Sequence, residues 1–196
     1  MKIIIKSDNL TEIKADLLIK PLFQKGIDTE TKELDGLLNG KITKIIKMGD
    51  FSGKEKDVCM VYTDGKLKSE RLLLLGVGEI EKTVINNFRK TGASILKQAS
   101  KIKAEKICID ILTMEDVCKS ASIDMNDAFS ALIEGLLLAG YKYDKYKKSD
   151  SDDVKIKEVI LLLKKSTTTE KYNDIINSTQ IVCEAVKRAR DYANAP

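Results

Sequence analysis

Short apolar runs and longer segments with helical spacing follow one another along this chain. Six runs rich in apolar and β-branched residues predict strands at residues 2–6, 16–20, 58–62, 71–75, 106–111 and 159–163. Residues 72–75 and 160–163 consist entirely of leucine and isoleucine, and continuous apolar runs of this kind are typical of central strands buried on both faces. We therefore expect a sheet that is covered on both sides.

Four segments have the spacing of helices, at about residues 33–47, at 83–101, from Asp124 to Ala139, and at 171–193. Thr83 and Asp124 are predicted to cap the second and third helices, because their side chains can accept hydrogen bonds from the free N–H groups of a first turn. The third helix has a stripe of small and apolar residues that would let it lie close against a sheet. That stripe consists of Ala128, Ala131, Leu132, Gly135, Leu136 and Ala139. The predicted buried face of the fourth helix consists of Ile175, Thr179, Val182, Val186, Ala189 and Ala193.

The order of these elements predicts the fold class. The strand, helix and strand between residues 71 and 111 form a crossover unit, which favours parallel pairing of the two strands. We therefore predict an α/β fold, a three-layer α/β/α sandwich with a mixed, mostly parallel sheet. The 196 residues suffice for one domain with a substantial core.

The composition excludes several classes of protein. The chain has no histidine, which rules out Ser-His-Asp catalysis, Cys-His catalysis and histidine-containing zinc sites within it. Its four cysteines include no Cys-x-x-Cys pair, and no apolar stretch suits a signal peptide or a membrane span. We expect a cytoplasmic protein with reduced thiols and no membrane partner. The net charge of +4 is a mild excess, so it does not call for a nucleic-acid partner.

Three short motifs could carry chemistry, but each has a simpler structural interpretation. Gly76-Val77-Gly78 follows a strand, yet Glu81 occupies the position of the third glycine of a dinucleotide fingerprint, so a tight strand-exit turn is predicted. Thr63-Asp64-Gly65 is predicted to be a turn. The basic and aromatic residues 141–148 fit either a nucleic-acid patch or the solvated end of a helix. We assign no catalytic, cofactor-binding or metal-binding residue in this chain.

A series of segments along the chain carries a family resemblance. The segments are Leu34-Asp35-Gly36-Leu37-Leu38, Gly49-Asp50-Phe51-Ser52-Gly53-Lys54, residues 71–79, Arg89-Lys90-Thr91-Gly92-Ala93, residues 134–147 and residues 189–196. In this order they resemble the N-terminal half of the leucyl aminopeptidase family (cytosol aminopeptidases, peptidase family M17). The last segment is similar to the Ala-Arg-Asp-Leu-x-Asn-x-Pro stretch that leads into the family's catalytic domain. The resemblance covers essentially the whole chain.

The resemblance implies a non-catalytic role for this chain. Residues 1–170 would form the family's N-terminal α/β domain, and residues 171–196 would form a helix connecting it to a C-terminal catalytic domain outside this chain. These enzymes remove N-terminal amino acids from peptides with two divalent metal ions, usually zinc, manganese or magnesium. The metal ligands belong to the catalytic domain, so no cofactor is expected here. The N-terminal domain would support assembly of a hexamer and control access to the active sites.

The resemblance also implies a fold similar to macro domains, which often bind ADP-ribose. Residues 7–19 are faintly like the start of a macro domain, but Lys20-Pro21-Leu22-Phe23 stands where an asparagine-rich turn would follow. Two alternatives to the assembly role therefore stay open. One is a stand-alone macro-like module that binds ADP-ribose, and the other is a domain that contacts nucleic acid through residues 142–148.

Overall fold

Six strands and six helices make up the framework of the computed structural model, which describes residues 1–24, 27–143, 155–164 and 169–195. The strands are β1 (Lys2–Lys6), β2 (Leu17–Leu22), β3 (Val58–Tyr62), β4 (Arg71–Gly76), β5 (Lys106–Asp110) and β6 (Glu158–Leu162). The helices are α1 (Thr29–Leu37), α2 (Lys41–Met48), α3 (Ile85–Lys101), α4 (Met114–Ser120), α5 (Met125–Ala139) and α6 (Thr169–Asn194).

The strands form one sheet in the order β1-β6-β5-β2-β4-β3. Each neighbouring pair is parallel except β3 and β4, which are antiparallel. All six predicted strands are present, with ends no more than two residues from the predicted positions. The prediction of a mixed, mostly parallel sheet is confirmed.

Helices cover both faces of this sheet. Helices α3, α4, α5 and α6 pack on one face, and α1 and α2 pack on the other. In β4, Leu73 and Leu75 contact the first layer of helices, whereas Leu72 and Leu74 contact the second. The continuous leucine run therefore fills both cores, as the pattern predicts for a central strand. The three-layer α/β/α architecture is confirmed.

The single helix predicted at residues 33–47 is two helices. The first begins earlier, at Thr29, where the side chain of Asp28 accepts a hydrogen bond from the N–H of Thr31. The break follows Leu37, because Asn39 and Gly40 adopt the left-handed conformation, with φ of 57° and 76°. A helix cannot continue through two such residues, so α2 starts afresh at Lys41.

The two predicted helix caps have different outcomes. Asp124 caps α5 as predicted, and its carboxylate accepts hydrogen bonds from the N–H groups of Asn126 and Asp127. Thr83 does not cap α3, because the N-cap residue is Val84 and the hydroxyl of Thr83 donates to the carbonyl of Glu79. The short helix α4 was not predicted, because its seven residues are too few to show a clear helical period.

The buried face predicted for the last helix is confirmed at Thr179 and in part at Ile175, which is half-buried against the core, but it is wrong at Val182, Ala189 and Ala193, which are exposed. The buried residues of α6 are Tyr172, Ile176, Thr179 and Cys183, whereas Val182 is 56% exposed. Two contacts with α5 set this rotation of the helix. The ring of Tyr172 packs edge-on against Phe129 at a centroid distance of 4.7 Å, and the hydroxyl of Thr179 is 3.0 Å from that of Ser130.

The small residues of α5 allow a close contact with another helix rather than with the sheet. Gly135 lies so close to α3 that a β-carbon there would overlap the backbone carbonyl of Arg89, and one at Gly92 would overlap the carbonyl of Leu132. The two glycines therefore let α3 and α5 approach backbone to backbone. The predicted stripe is buried from Ala128 to Leu136, but Ala139 is exposed.

Candidate functional site

The carboxyl ends of β2, β4 and β5 form the place where this topology could admit a ligand. The chain leaves β2 toward α1 on one face of the sheet, whereas it leaves β4 and β5 toward α3 and α4 on the other face. In open α/β sheets such a divergence creates a crevice outside the strand ends, and ligands commonly bind there. This edge is the first candidate site.

A buried ion pair occupies this edge on the α1 side of the sheet. The ammonium of Lys20 donates to Oδ2 of Asp110 at 2.8 Å, and the two residues are only 1% and 4% exposed. The other oxygen of Asp110 accepts the N–H of Leu112 at 2.9 Å, and Oδ2 of Asp28 is 3.5 Å from the Lys20 nitrogen. Because each charge is already met by protein groups, the pair suits a structural role better than an acid–base one.

The sequence analysis missed this pair, although a signal for it exists. Lys20 and Asp110 each follow three consecutive apolar residues, at 17–19 and 107–109. Since Leu18 of β2 lies opposite Cys108 of β5, residues two further along place Lys20 beside Asp110. Whether two opposite charges in adjacent parallel strands lie side by side depends on the strand order and register, which the sequence alone does not supply.

The glycine loop after β4 has no free amides for a phosphate. The N–H of Gly76 donates to Asp57, that of Val77 to Leu22 and that of Gly78 to Gly53, each to a backbone carbonyl at 2.8–3.0 Å. A β-carbon at Gly76 would overlap the carbonyl of Lys54, so this glycine makes room for the neighbouring loop of the protein. The predicted tight turn is what the structure has, with Gly78 at a φ of 87°.

A small apolar cavity lies beneath the same edge, on the α3 side of the sheet. Its volume is about 50 Å³. Apolar side chains such as Phe23, Val77 and Ile109 dominate its walls, with Thr113 and Asp110 among the few polar residues. A site for a ligand of drug size has roughly 300–1,000 Å³. This cavity accommodates a few water molecules, since one needs about 10–15 Å³ of such space.

The other two motifs also have structural roles where the structure describes them. Thr63-Asp64-Gly65 forms the predicted turn, in which Asp64 and Gly65 have φ of 50° and 73° and the N–H of Lys66 returns to the carbonyl of Thr63. Of residues 141–148, only 141–143 lie within the described residues. The hydroxyl of Tyr141 donates to Asp191 of α6 at 2.9 Å.

None of the four cysteines is set up as a nucleophile. Cys108, Cys118 and Cys183 are buried, and Cys59 is partly buried. Burial raises the pKa of the Cys118 thiol to about 11, and it also raises the pKa values of the other three thiols above their usual range. A thiol attacks only as a thiolate, so these cysteines act as core residues.

The segments that carry the family resemblance meet in space in three places. The loop of residues 49–54 packs on the turn at Gly76 and Gly78. The α3 segment approaches the α5 segment at Gly92 and Gly135, where Arg89 also forms an ion pair with Glu134. In these two places the motif residues pack loops and helices against one another, which is a structural role.

The third meeting place fixes the end of α6. Besides its hydrogen bond to Asp191, the hydroxyl of Tyr141 is 3.4 Å from the side-chain amide nitrogen of Asn194. The guanidinium of Arg190 lies over the Tyr141 ring, 5.5 Å from its centroid. Tyr141 follows α5, so this group of four side chains ties the last turns of α6 to the end of α5.

The outward face of α6 is the second candidate site. Across its last turns this face carries apolar and small residues, of which Ile181 is 70% exposed and Tyr192 is 82% exposed. A shallow depression lies along it, lined by Ile181, Glu184, Ala185, Arg188, Ala189 and Tyr192. Isolated exposed apolar residues are ordinary, but a row of them along one helix face marks a surface suited to contact with another body.

The part of the chain that the structure describes has neither a metal cluster nor a membrane-spanning helix. It contains no group of three or more histidine, cysteine, aspartate or glutamate side chains placed to share a metal ion. Within residues 1–24, 27–143, 155–164 and 169–195, none of the helices has the length and apolar character that crossing a bilayer requires.

Sequence comparison relates this chain to one family along its whole length. Residues 21–150 match the family described as "Cytosol aminopeptidase family, N-terminal domain". A probable cytosol aminopeptidase of Sulfurihydrogenibium sp. (strain YO3AOP1) is 27% identical over 198 residues, which cover 100% of this chain and 38% of that protein. One of Alkaliphilus oremlandii (strain OhILAs) is 25% identical, and the match covers 100% of this chain and 39% of that protein. The chain thus spans about two fifths of the length of these relatives.

Structural comparison gives neighbours of more than one kind. A mutant tomato leucine aminopeptidase superposes with a TM-score of 0.78 at 21% identity, over 100% of this chain and 38% of that one. A Trypanosoma brucei macrodomain in complex with ADP superposes with a TM-score of 0.63 at 11% identity, over 89% of this chain and 68% of that one. At these identities the likeness concerns the fold, which is macro-domain-like, as predicted.

Proposed function

This chain belongs to the cytosol aminopeptidase family, as its N-terminal domain, and on this basis we propose that it is the non-catalytic part of a larger two-metal aminopeptidase. The observation that carries the proposal is the extent of the match. The relatives align with all of this chain but only over 38–39% of their own length. The remaining sequence of such a protein would hold the catalytic domain.

The proposed activity of the whole protein is removal of N-terminal amino acids from peptides. Two divalent metal ions, zinc, manganese or magnesium, would be held by the catalytic domain, where they would activate a water and polarise the scissile carbonyl. The absence of histidine from the sequence excludes histidine-containing metal sites from this chain. The whole protein would act in the cytoplasm.

The role we propose for this chain is support of assembly and of access to the active sites, in a hexamer of the whole protein. Residues 1–170 would be the domain proper, and residues 171–196 the connector to the catalytic domain. Helix α6, which spans most of that connector, contributes Ile176 and Cys183 to the core and is tied to α5 through Tyr141. A connector anchored in this way would hold the two domains in a fixed relation.

The chain by itself is expected to show no peptidase activity. We expect the purified 196-residue chain to leave leucine amide unhydrolysed with added manganese or zinc, because the groups that hold the metals lie outside it. The measurement is release of ammonia or leucine over hours at high protein concentration. A circular dichroism spectrum with the expected mixture of helix and strand serves as the control for folding. Turnover that depends on the added metal would overturn the proposal.

The macro-like fold makes ADP-ribose binding the second candidate function, since a macrodomain neighbour has been crystallised with ADP-ribose. Our prediction is that calorimetry detects no heat of binding at millimolar ADP-ribose. The amides of residues 76–78 already donate to protein carbonyls, and the cavity below them is about 50 Å³. A phosphate would have to displace those carbonyls, at a cost of about 1–3 kcal/mol for each group left without a partner. Binding in the micromolar range would place the stand-alone module first.

A further inference from the structure

Helix α6 changes character along its outward face. Residues three or four apart lie on the same side of a helix, so one outward row runs through Glu170, Asp174 and Ser178 in the first half. The same row continues through Ile181, Ala185 and Tyr192 in the second half. All six of these residues are exposed. The first half of this face is therefore polar and the second half is apolar or small.

The inward face packs on the domain mainly in the first part of the helix. Its buried residues are Tyr172, Ile176, Thr179 and Cys183, which contact α5 and the core, and none of residues 184–194 is buried. The core of this domain therefore explains one side of α6 but not the apolar row from Ile181 to Tyr192. A 26-residue helix is about 39 Å long, so this row occupies roughly its last 20 Å.

The apolar half also contacts the domain near its end. Tyr141 binds Asp191 and Asn194, and its ring lies under Arg190, all within the last two turns. These side chains fix how the outward row is presented. In the middle of the row Ala185 and Ala189 form a shallow floor between Ile181 and Tyr192, with Glu184 and Arg188 beside it. Such a surface can take apolar side chains from another body, with one acidic and one basic residue at its margin.

We propose that the outward row Ile181, Ala185, Ala189 and Tyr192 is covered by the catalytic domain of the same polypeptide. This inference rests on the proposed function. Two observations favour that occupant over a second copy of this chain. The relatives have about three fifths of their sequence outside the aligned part, and the apolar character is confined to the half of α6 that leads toward residue 196. A second copy of this chain could bind either half of α6, so it would not explain why only the second half is apolar.

The test compares two cysteine variants of minimal size change, Ala185→Cys in the apolar half and Ser178→Cys in the polar half. Both positions are exposed in this domain. Each variant is made in the 196-residue chain and in the full polypeptide produced by the source cells. The rate of maleimide labelling at each position is followed by peptide mass spectrometry, which separates it from labelling of the native cysteines.

We expect both positions to react readily in the 196-residue chain. In the full polypeptide, labelling at Ala185→Cys should be at least about ten times slower, while labelling at Ser178→Cys should change by less than about twofold. Equal rates at Ala185→Cys in the two proteins would overturn the inference and leave the proposed function intact. So would concentration-dependent protection in the 196-residue chain together with a dimer mass, since the occupant would then be a second copy. A source polypeptide of only 21.9 kDa would remove both the inference and the proposed function.

Discussion

Replacing Asp110 with asparagine is expected to lower the free energy of unfolding by about 3 kcal/mol or more. The substitution keeps the shape of the side chain but removes the charge that faces Lys20, at a contact of 2.8 Å between residues that are 4% and 1% exposed. Removing one partner of a buried ion pair usually costs about 3–5 kcal/mol, because the other charge is left without compensation. Asp28, 3.5 Å from the Lys20 nitrogen, can compensate in part, which places our expectation at the lower end.

Urea denaturation of the wild type and the variant measures this loss. The control is the double variant Lys20→Met with Asp110→Leu, which replaces the whole pair by apolar side chains. We expect it to recover most of the stability, since buried pairs replaced together are often neutral or stabilising. The hydrogen bond from Leu112 to Asp110 is lost in the double variant, and this limits the recovery by about 1 kcal/mol. A loss below about 1 kcal/mol for Asp110→Asn would show that solvent reaches the pair.

Gly135→Ala is expected to be destabilising although alanine is the better helix former. A β-carbon at this position would overlap the backbone carbonyl of Arg89, and a backbone group cannot rotate away as a side chain can. Helices α3 and α5 would have to separate, which would loosen the core around Leu132 and Ile95. Overpacking of this kind costs about 1–3 kcal/mol and occasionally more. We expect a net loss of about 3 kcal/mol, since the clash is with main chain.

Gly36→Ala is the matched control for this substitution. Gly36 is also a helical glycine, in α1, but a β-carbon there would meet no atom within 4 Å. The same chemical change should therefore stabilise the protein by about 0.5–1 kcal/mol through helix propensity. The measurement is the melting temperature of each variant compared with that of the wild type. If both glycine variants shifted the melting temperature in the same direction, close packing of α3 on α5 would not be the reason for Gly135.

The strands were predictable because their apolar runs are dictated by burial on two sides. Leu72 to Leu75 alternate between the two cores, and no other element could bury four consecutive leucines so efficiently. The break after Leu37 was harder to predict from the sequence. Asn39 adopts a left-handed conformation there, and asparagine can adopt this conformation but often does not. Apolar spacing therefore located elements better than it located the ends and interruptions of helices.

The orientation of α6 was mispredicted because both of its sides have apolar residues. Val182 and Ala189 have the spacing of a buried face, yet Ile176 and Cys183 are the residues in the core. The spacing of apolar residues cannot distinguish a helix face that packs inside the domain from an apolar face that stays exposed. The pair of Lys20 and Asp110 was missed for a related reason, since strand register decides it.

Neither candidate site was predicted from the sequence, and the family resemblance supplied only the expectation that the chemistry lies outside this chain. The motif segments contain no histidine and no acid–base pair, and in the structure they hold loops and helices together. At Gly76 and Gly78 the residues alone predicted a tight turn rather than a phosphate site, and the amides there donate to protein carbonyls. In the proposed function, the catalytic chemistry would belong to sequence outside this chain.

The mass of the native protein in its source cells tests the central claim most directly. An antibody raised to this chain would capture the intact protein for mass spectrometry. We predict a species more than twice the 21.9 kDa of this chain, in which a catalytic domain follows residue 196. A species of 21.9 kDa would contradict it, because the domain would then exist without a catalytic partner in the same polypeptide.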